Sequence, residues 1–220
     1  MMHFQFLTED RSGKCFIDQF MQKILQNHSD ITYECHSFHG IGGFNPNLNA
    51  KDAKTGKLLN DLAIYLRGFD KSLQGIPAVI LVIVDNDDRD TDLFYKELEK
   101  VANNSLVLMD RVFCIAVEEL EAWLLGDEHA VLQAYPAARI PALRAYKQDS
   151  ICGTWETLAN IVYKGGYARM IKDNPSYQAQ GKIKCEWAES IGACLDIHNN
   201  KSPSFQRFVH EIEKRLIPMT

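Results

Sequence analysis

The sequence predicts an α/β protein: an open, mostly parallel, four-stranded sheet with helices on both faces, followed by a helical subdomain. Strand-like and helix-like periodicities alternate four times in roughly the first 125 residues, the pattern of parallel strands joined by crossover helices. Residues 78–84 are an unbroken apolar run rich in valine and isoleucine, as a strand covered on both faces requires. Beyond Gly126 the β-branched runs stop, and helical pieces remain, separated by Pro136, Pro141, Gly153, Gly165, Gly166, Pro175 and Gly181.

Residues 3–7 read as the first strand, in a start that lacks the charged and long apolar regions of a secretory leader. After a polar stretch, Phe16, Ile17, Phe20, Met21, Ile24 and Leu25 recur at spacings of three and four, which predicts a helix. Residues 31–38 read as a second strand, and residues 39–49, with Gly40, Gly42, Gly43 and Pro46, as a loop. A second helix is predicted from about residue 53 to 67 on Leu58, Leu59, Leu62, Ile64, Tyr65 and Leu66. The apolar third strand, 78–84, breaks into Asp85-Asn86-Asp87-Asp88, and a helix over 92–102 follows. A fourth strand, 112–117, runs directly into a predicted helix over 118–125. At the far end Ser202 suits an N-cap and Pro203 a first helical position, before an apolar stripe of Phe205, Phe208, Val209, Ile212 and Leu216. The expected organisation is a Rossmann-like core over 1–127 and a helical subdomain over 128–220 packed on it.

A formal charge of −5, from 24 Lys and Arg against 29 Asp and Glu, excludes a chain that adheres to nucleic acid or membrane by overall basicity. No apolar run reaches transmembrane length. The six cysteines form no C-x-x-C pair and read as reduced thiols of a cytoplasmic protein. Charge is uneven along the chain. Residues 85–128 hold thirteen acids against four bases, and residues 139–184 eight bases against three acids.

Asp85 and Asp87 stand two apart where the third strand ends, so on an extended backbone their side chains emerge on the same side. Open α/β sheets place their sites at this rim. Glu9 and Asp10 follow the first strand, and in the strand order 2-1-3-4 the first and third strands are neighbours, so Glu9 faces the aspartate pair. Crowded carboxylates repel unless a proton or cation intervenes, and a donor set of oxygens alone suits Mg²⁺ or Mn²⁺. Such an ion polarises a phosphoryl oxygen and helps to generate hydroxide, the core of metal-assisted phosphodiester cleavage. Glu9 on the opposite rim, or a lysine or arginine plugging the gap, would end this expectation. The competing reading is an acidic loop over 85–90 that caps the next helix.

Around this centre, Glu118 and Glu121 open the predicted fourth helix on one face, as accessory acids or as ordinary first-turn acids. Ser12 and Lys14 begin the first helix, either holding a phosphate on its backbone N–H groups or forming a serine cap beside an exposed lysine. The run is too short for a P-loop. In the basic flank, Arg144, Lys147, Lys164, Arg169 and Lys184 lie among Tyr146, Trp155, Tyr163, Tyr167 and Tyr177. That mixture suits phosphate neutralisation with base stacking, or a solvated helical surface over an aromatic core. Cys35 and His36 point to opposite faces of a strand and do not make a zinc site, and no G-x-S-x-G nucleophile motif is present.

Glu9 after the first strand and Asp85-x-Asp87 after the third resemble the Toprim superfamily, the metal-binding domain of topoisomerases, bacterial primases and overcoming-lysogenization-defect nucleases. The run 116–127, AVEELEAWLLGD, and the tail 200–208, NKSPSFQRF, with Lys184 and Ala188 between them, resemble a bacterial Toprim-like family of unknown function over nearly the full chain. The resemblance implies a Mg²⁺-dependent nuclease on DNA or RNA, with Glu9 as general acid/base and Glu9, Asp85 and Asp87 around the metal. It further implies a setting in bacterial defence against phage, a protein partner within a multi-component system, and Ser202, Ser204 and Phe205 packed back against the sheet edge. Asp10 stands where many Toprim domains have glycine, so the active carboxylate is Glu9 or Asp10. The alternative is a catalytically weak Toprim-like module that binds and regulates a partner protein or nucleotide. A phosphotransfer site fits less well: the haloacid-dehalogenase type carries its Asp-x-Asp after the first strand, and the receiver type needs a lysine after a fifth strand.

Overall fold

The computed structural model describes residues 1–44 and 54–216. The chain runs β1 (Met2–Thr8), α1 (Arg11–Leu25), β2 (Ile31–Ser37), α2 (Leu58–Ser72), β3 (Ala78–Asp85), α3 (Thr91–Asn104) and β4 (Asp110–Ala116). Seven helices follow: α4 (Glu121–Leu125), α5 (Glu128–Ala134), α6 (Ile140–Ala145), α7 (Thr154–Val162), α8 (Gly166–Asp173), α9 (Tyr177–Cys194) and α10 (Pro203–Leu216). The four strands form one all-parallel sheet in the order β2-β1-β3-β4. The predicted α/β architecture is therefore present, with helices on both faces.

Alternation along the central strands divides the core in two. Phe4, Phe6, Val79, Leu81 and Ile83 face a layer of α1, α4, α9 and α10, centred on Trp123, Phe16, Phe20, Phe205 and Phe208. Leu7, Ile80, Val82 and Val84 face α2 and α3. The first of these cores runs without a break from the sheet into the C-terminal helices, so the sheet relies on the tail for one of its covers. Among the described residues, no helix is long and apolar enough to cross a membrane.

Several boundaries differ from the sequence expectation. The second helix starts at Leu58 and extends to Ser72, while residues 45–53, which include the end of the predicted glycine-rich loop and the predicted start of this helix, lie outside the described residues. The predicted helix over 118–125 begins only at Glu121, because Glu118 is left-handed with φ of 62° and cannot continue a right-handed helix. Tight turns from Glu119 to Ala122 and from Leu120 to Trp123 lead into α4. The expectation of six reduced cysteines is corrected as well: Cys15 is paired with Cys185, whereas Cys35, Cys114, Cys152 and Cys194 are free. Their 170-residue separation hid a pairing that only the packing of α1 on α9 brings about.

The tail is tied down by polar contacts as well as apolar ones. Ser202 accepts a hydrogen bond from the Phe205 amide as N-cap and donates to Asp149. Trp123 Nε1 donates to Ser204 Oγ at 2.9 Å, and Asn200 Nδ2 donates to the Trp123 carbonyl at 2.7 Å. Ser204 and Phe205 thus dock on Trp123 and the phenylalanines of α1, Ser202 is held by Asp149, and α10 also meets the edge strand β4.

Candidate functional site

The parallel register builds an acidic rim at the carboxyl end of the sheet. Thr8 is opposite Ile83 and Asp85 is opposite Ala116, so the chain leaves β1, β3 and β4 at nearly one level. Backbone bonds stitch the loops together there: the Gly40 amide donates to the Glu9 carbonyl, Asn86 to Ala116, and Asp87 to Glu118. Glu9, Asp10, Asp85, Glu119 and Glu121 gather at this rim from three segments distant in sequence.

The electrostatics are those of carboxylates withdrawn from water. Burial, then repulsion from Asp10 and Asp87, pushes the Glu9 carboxyl up to about 7, while a hydrogen bond from the Asp85 backbone pulls the other way. Burial and the neighbouring Glu9 raise Asp85 well above the usual carboxylate range. Glu121 is raised by burial, and Glu119 is lifted to about 7 by burial against the opposing pull of Lys184. Two buried oxygens here, Glu9 Oε2 and Glu121 Oε2, have no hydrogen-bond partner among the described residues.

Lys184 is the interior cation of this cluster. Its Nζ lies 3.2 Å from Glu121 and 3.7 Å from Glu119, and 5.4 Å from the centre of the Trp155 ring. Burial alone would lower its pKa, but Glu121, Glu119, Asp85 and Asp10 hold it above the ordinary lysine value. Among the described residues it forms no ion pair with Glu9 or Asp85, although its charge also pulls both of their pKa values down, so it neutralises the Glu119 and Glu121 flank directly and the Glu9 and Asp85 flank only from beyond ion-pair distance. The sequence carries a signal for its inward position. Lys184, Ala188, Ile191 and Leu195 follow a helical i, i+4, i+7, i+11 stripe whose apolar members are all buried.

Other predicted residues are placed differently. The same-side geometry of Asp85 and Asp87 does not apply, because β3 ends at Asp85 and Asp87 is left-handed, with φ of 49°. Asp87 is exposed and paired with Arg89 at 2.6 Å. Glu118 points away from the rim and accepts from the Cys152 and Gly153 amides and the Thr154 hydroxyl. Burial raises its pKa, but these bonds outweigh burial and hold it below the usual value. Glu118 therefore shares no helix face with Glu121, and it anchors the start of α7. Glu119, which also accepts from the Trp155 amide at 2.8 Å, stands at the rim beside Glu121 where Glu118 was expected.

The expected phosphate-binding residues do not converge. The start of α1 is already satisfied by Asp10, whose Oδ1 accepts from Gly13 N at 3.0 Å and from the Ser12 hydroxyl at 2.7 Å. Ser12 is therefore neither the cap nor a free anion donor, and Lys14 is paired with Asp18 at 2.7 Å. Arg144 pairs with Glu128 and Arg169 with Asp173, both at 2.8 Å. Among the described residues only Lys147 and Lys164 of the seven are exposed without an ion pair. Lys164 lines an open cavity of about 660 Å³ with Tyr135, Tyr163, Arg169 and Trp187.

A smaller cleft of about 220 Å³ opens beside the rim between Asp87, Asp88, Glu118, Glu119, Glu156 and Trp155. Its lining is acidic, so a polyanion approaches it only with cations between. The rim donors are hard oxygens, two of them buried without partners among the described residues, and this chemistry fits a divalent cation of the Mg²⁺ class. The carboxylates are not drawn together as a finished cage. Among the described residues the one group of three whose ligand atoms lie within 4.8 Å of one another is Cys15, Cys185 and Glu189. No protein-family model, no curated protein and no solved structure matches the chain.

Proposed function

We propose that the acidic rim is the active site of a Toprim-like, Mg²⁺- or Mn²⁺-dependent nuclease that hydrolyses phosphodiesters of DNA or RNA. The observation that carries this reading is the juxtaposition of Glu9 and Asp85 across neighbouring strands. Burial raises both carboxyls, helped by Asp10 and Asp87 at Glu9 and by Glu9 at Asp85, and among the described residues Glu9 Oε2 is buried with no partner. Such a pair is held at a cost that a cation or a proton relieves. Asp85 and Glu9 are the residues that would hold the ion, with Asp87 joining them if it leaves Arg89. A bound divalent cation supplies polarisation of the phosphoryl oxygen and offsets the charge of the approaching backbone.

The chain's own groups then have distinct tasks. Glu9, with its carboxyl near 7, is poised to take a proton from water close to neutral pH and to return one to the leaving oxygen. Asp10 holds α1 in place as its cap, which leaves Glu9 as the better candidate for the proton. Lys184 pairs with Glu119 and Glu121 and acts on Glu9 and Asp85 only from beyond ion-pair distance, so the Glu9 and Asp85 side is the less neutralised of the two. Lys147 and Lys164 are the exposed bases left to meet the phosphate backbone. A cytoplasmic role in defence, with a protein partner, extends the reading from the resemblance.

A specific observation favours a second reading. Arg89 and Lys184 already neutralise part of the acidic cluster, as expected of a catalytically weak module that regulates a partner. The two readings part on one assay: plasmid, single-stranded DNA and tRNA incubated with Mg²⁺, Mn²⁺ or EDTA, beside Asp85→Asn. Metal-dependent cleavage that falls at least a hundredfold in the variant, as loss of a metal ligand entails, supports the nuclease. Binding without cleavage in every metal supports the module and overturns the nuclease.

A further inference from the structure

Cys15, near the start of α1, and Cys185, within α9, take no part in the chemistry proposed for the rim. Each is only 8% exposed, and their Cα atoms are 5.7 Å apart, within the range a disulfide spans without moving the backbone. Their sulfurs are paired, while four other cysteines stay free. The selection follows from the way α1 lies along α9. At the far end of the same interface Gly192 packs against Gln19, and Lys23 Nζ donates to the Ala193 carbonyl at 2.7 Å. The pair also sits beside the rim: Cys185 directly follows Lys184, and Cys15 follows the turn capped by Asp10.

We propose that Cys15 and Cys185 form a reversible thiol–disulfide clamp that fixes α9, and with it Lys184, against the acidic rim. A low-molecular-weight disulfide is the oxidant. One protein thiolate attacks it to give a mixed disulfide and releases one small thiolate. The second protein thiolate then displaces the other, so two protein thiols become one disulfide and the reagent becomes two thiols. Because Lys184 is one residue from the bridge, the state of the clamp decides how firmly its charge is held beside Glu119 and Glu121. That consequence for cation binding rests on the metal reading; the clamp does not.

The full-length protein is treated with glutathione disulfide or with dithiothreitol, and Cys15→Ser is carried through both conditions. Peptide mass spectrometry after thiol blocking should find Cys15 joined to Cys185 only in the oxidised wild type. Hydrogen exchange over residues 177–194 should be roughly tenfold slower in that state. The melting temperature should be higher by about 5 °C, and the variant should behave as reduced in both conditions. Alkylation of both cysteines after oxidation overturns the clamp. So does a cross-link that leaves exchange in α9 unchanged, or one Zn²⁺ held by Cys15, Cys185 and Glu189 that blocks cross-linking. The shift in melting temperature with Mn²⁺ is read in both redox states: its absence in each counts against the metal reading, while exchange in α9 still decides the clamp.

Discussion

At the scale of single residues, the rim is a problem in protonation. Glu9 and Glu119 are both lifted to about 7 from an ordinary 4.5, so the folded protein holds more protons than the unfolded chain between those values. The stability they carry is complete below about pH 4.5 and is lost as the pH climbs through 7. A cation that needs the deprotonated oxygens opposes this loss. The metal-free melting temperature should therefore fall between about pH 5 and pH 8, and the gain from added Mn²⁺ should grow over the same interval. Glu9→Gln should flatten both trends. A melting temperature with Mn²⁺ that tracks the metal-free curve in parallel across this range would count against a cation at Glu9. Glu9 and Asp85 were legible in the sequence because each stands where a strand ends. The apolar stripe of Ala188, Ile191 and Leu195 marks the face of Lys184 as inward, but which acids it meets there depends on the partner helices and not on its own stretch of chain.

At the scale of elements, the stretch between β4 and α7 shows how local rules were overridden. Glu118, Glu119 and Glu121 look like the acidic first turn of one helix. Tertiary contacts instead bend the chain at Glu118, so that two of these carboxylates accept the free amides at the start of α7. Those amides come from residues 152–155, more than thirty positions along the chain, and no periodicity within 118–125 points to them. Gly126 marks another such contact. A Cβ there would lie 1.9 Å from Asn200 Oδ1, and Asn200 in turn holds the Trp123 carbonyl. Gly126→Ala should displace Asn200 and cost about 1–3 kcal/mol, the range for overpacking a buried site. Chemical denaturation should show the loss, and combining the change with Asn200→Ser should recover part of it. Additive losses would remove Asn200 as the cause.

At the scale of the whole molecule, the sheet cannot be separated from its tail. Phe205, Phe208, Val209 and Ile212 complete the core around Trp123, Phe16 and Phe20. Burying side chains of this size stabilises by about 1.5–3 kcal/mol each, and four of them rival the roughly 5–15 kcal/mol by which a domain is stable. Truncation before Pro203 should yield protein with no cooperative thermal transition and with strong binding of a hydrophobic dye. A truncated chain that melts cooperatively would show that residues 1–202 suffice to fold. The parallel sheet, the order of its elements and the rim on which Glu9 and Asp85 stand can all be read from the pattern of residues along the chain. Those follow from apolar periodicity and the handedness of strand crossovers, which are local or nearly so. That Asp87 turns out to Arg89, that Glu118 serves α7, that Lys184 enters the acidic cluster and that Cys15 meets Cys185 is settled by the folded arrangement alone. Each of these depends on which distant helix face arrives at the rim, and that is set by packing one shared core rather than by any stretch of sequence alone.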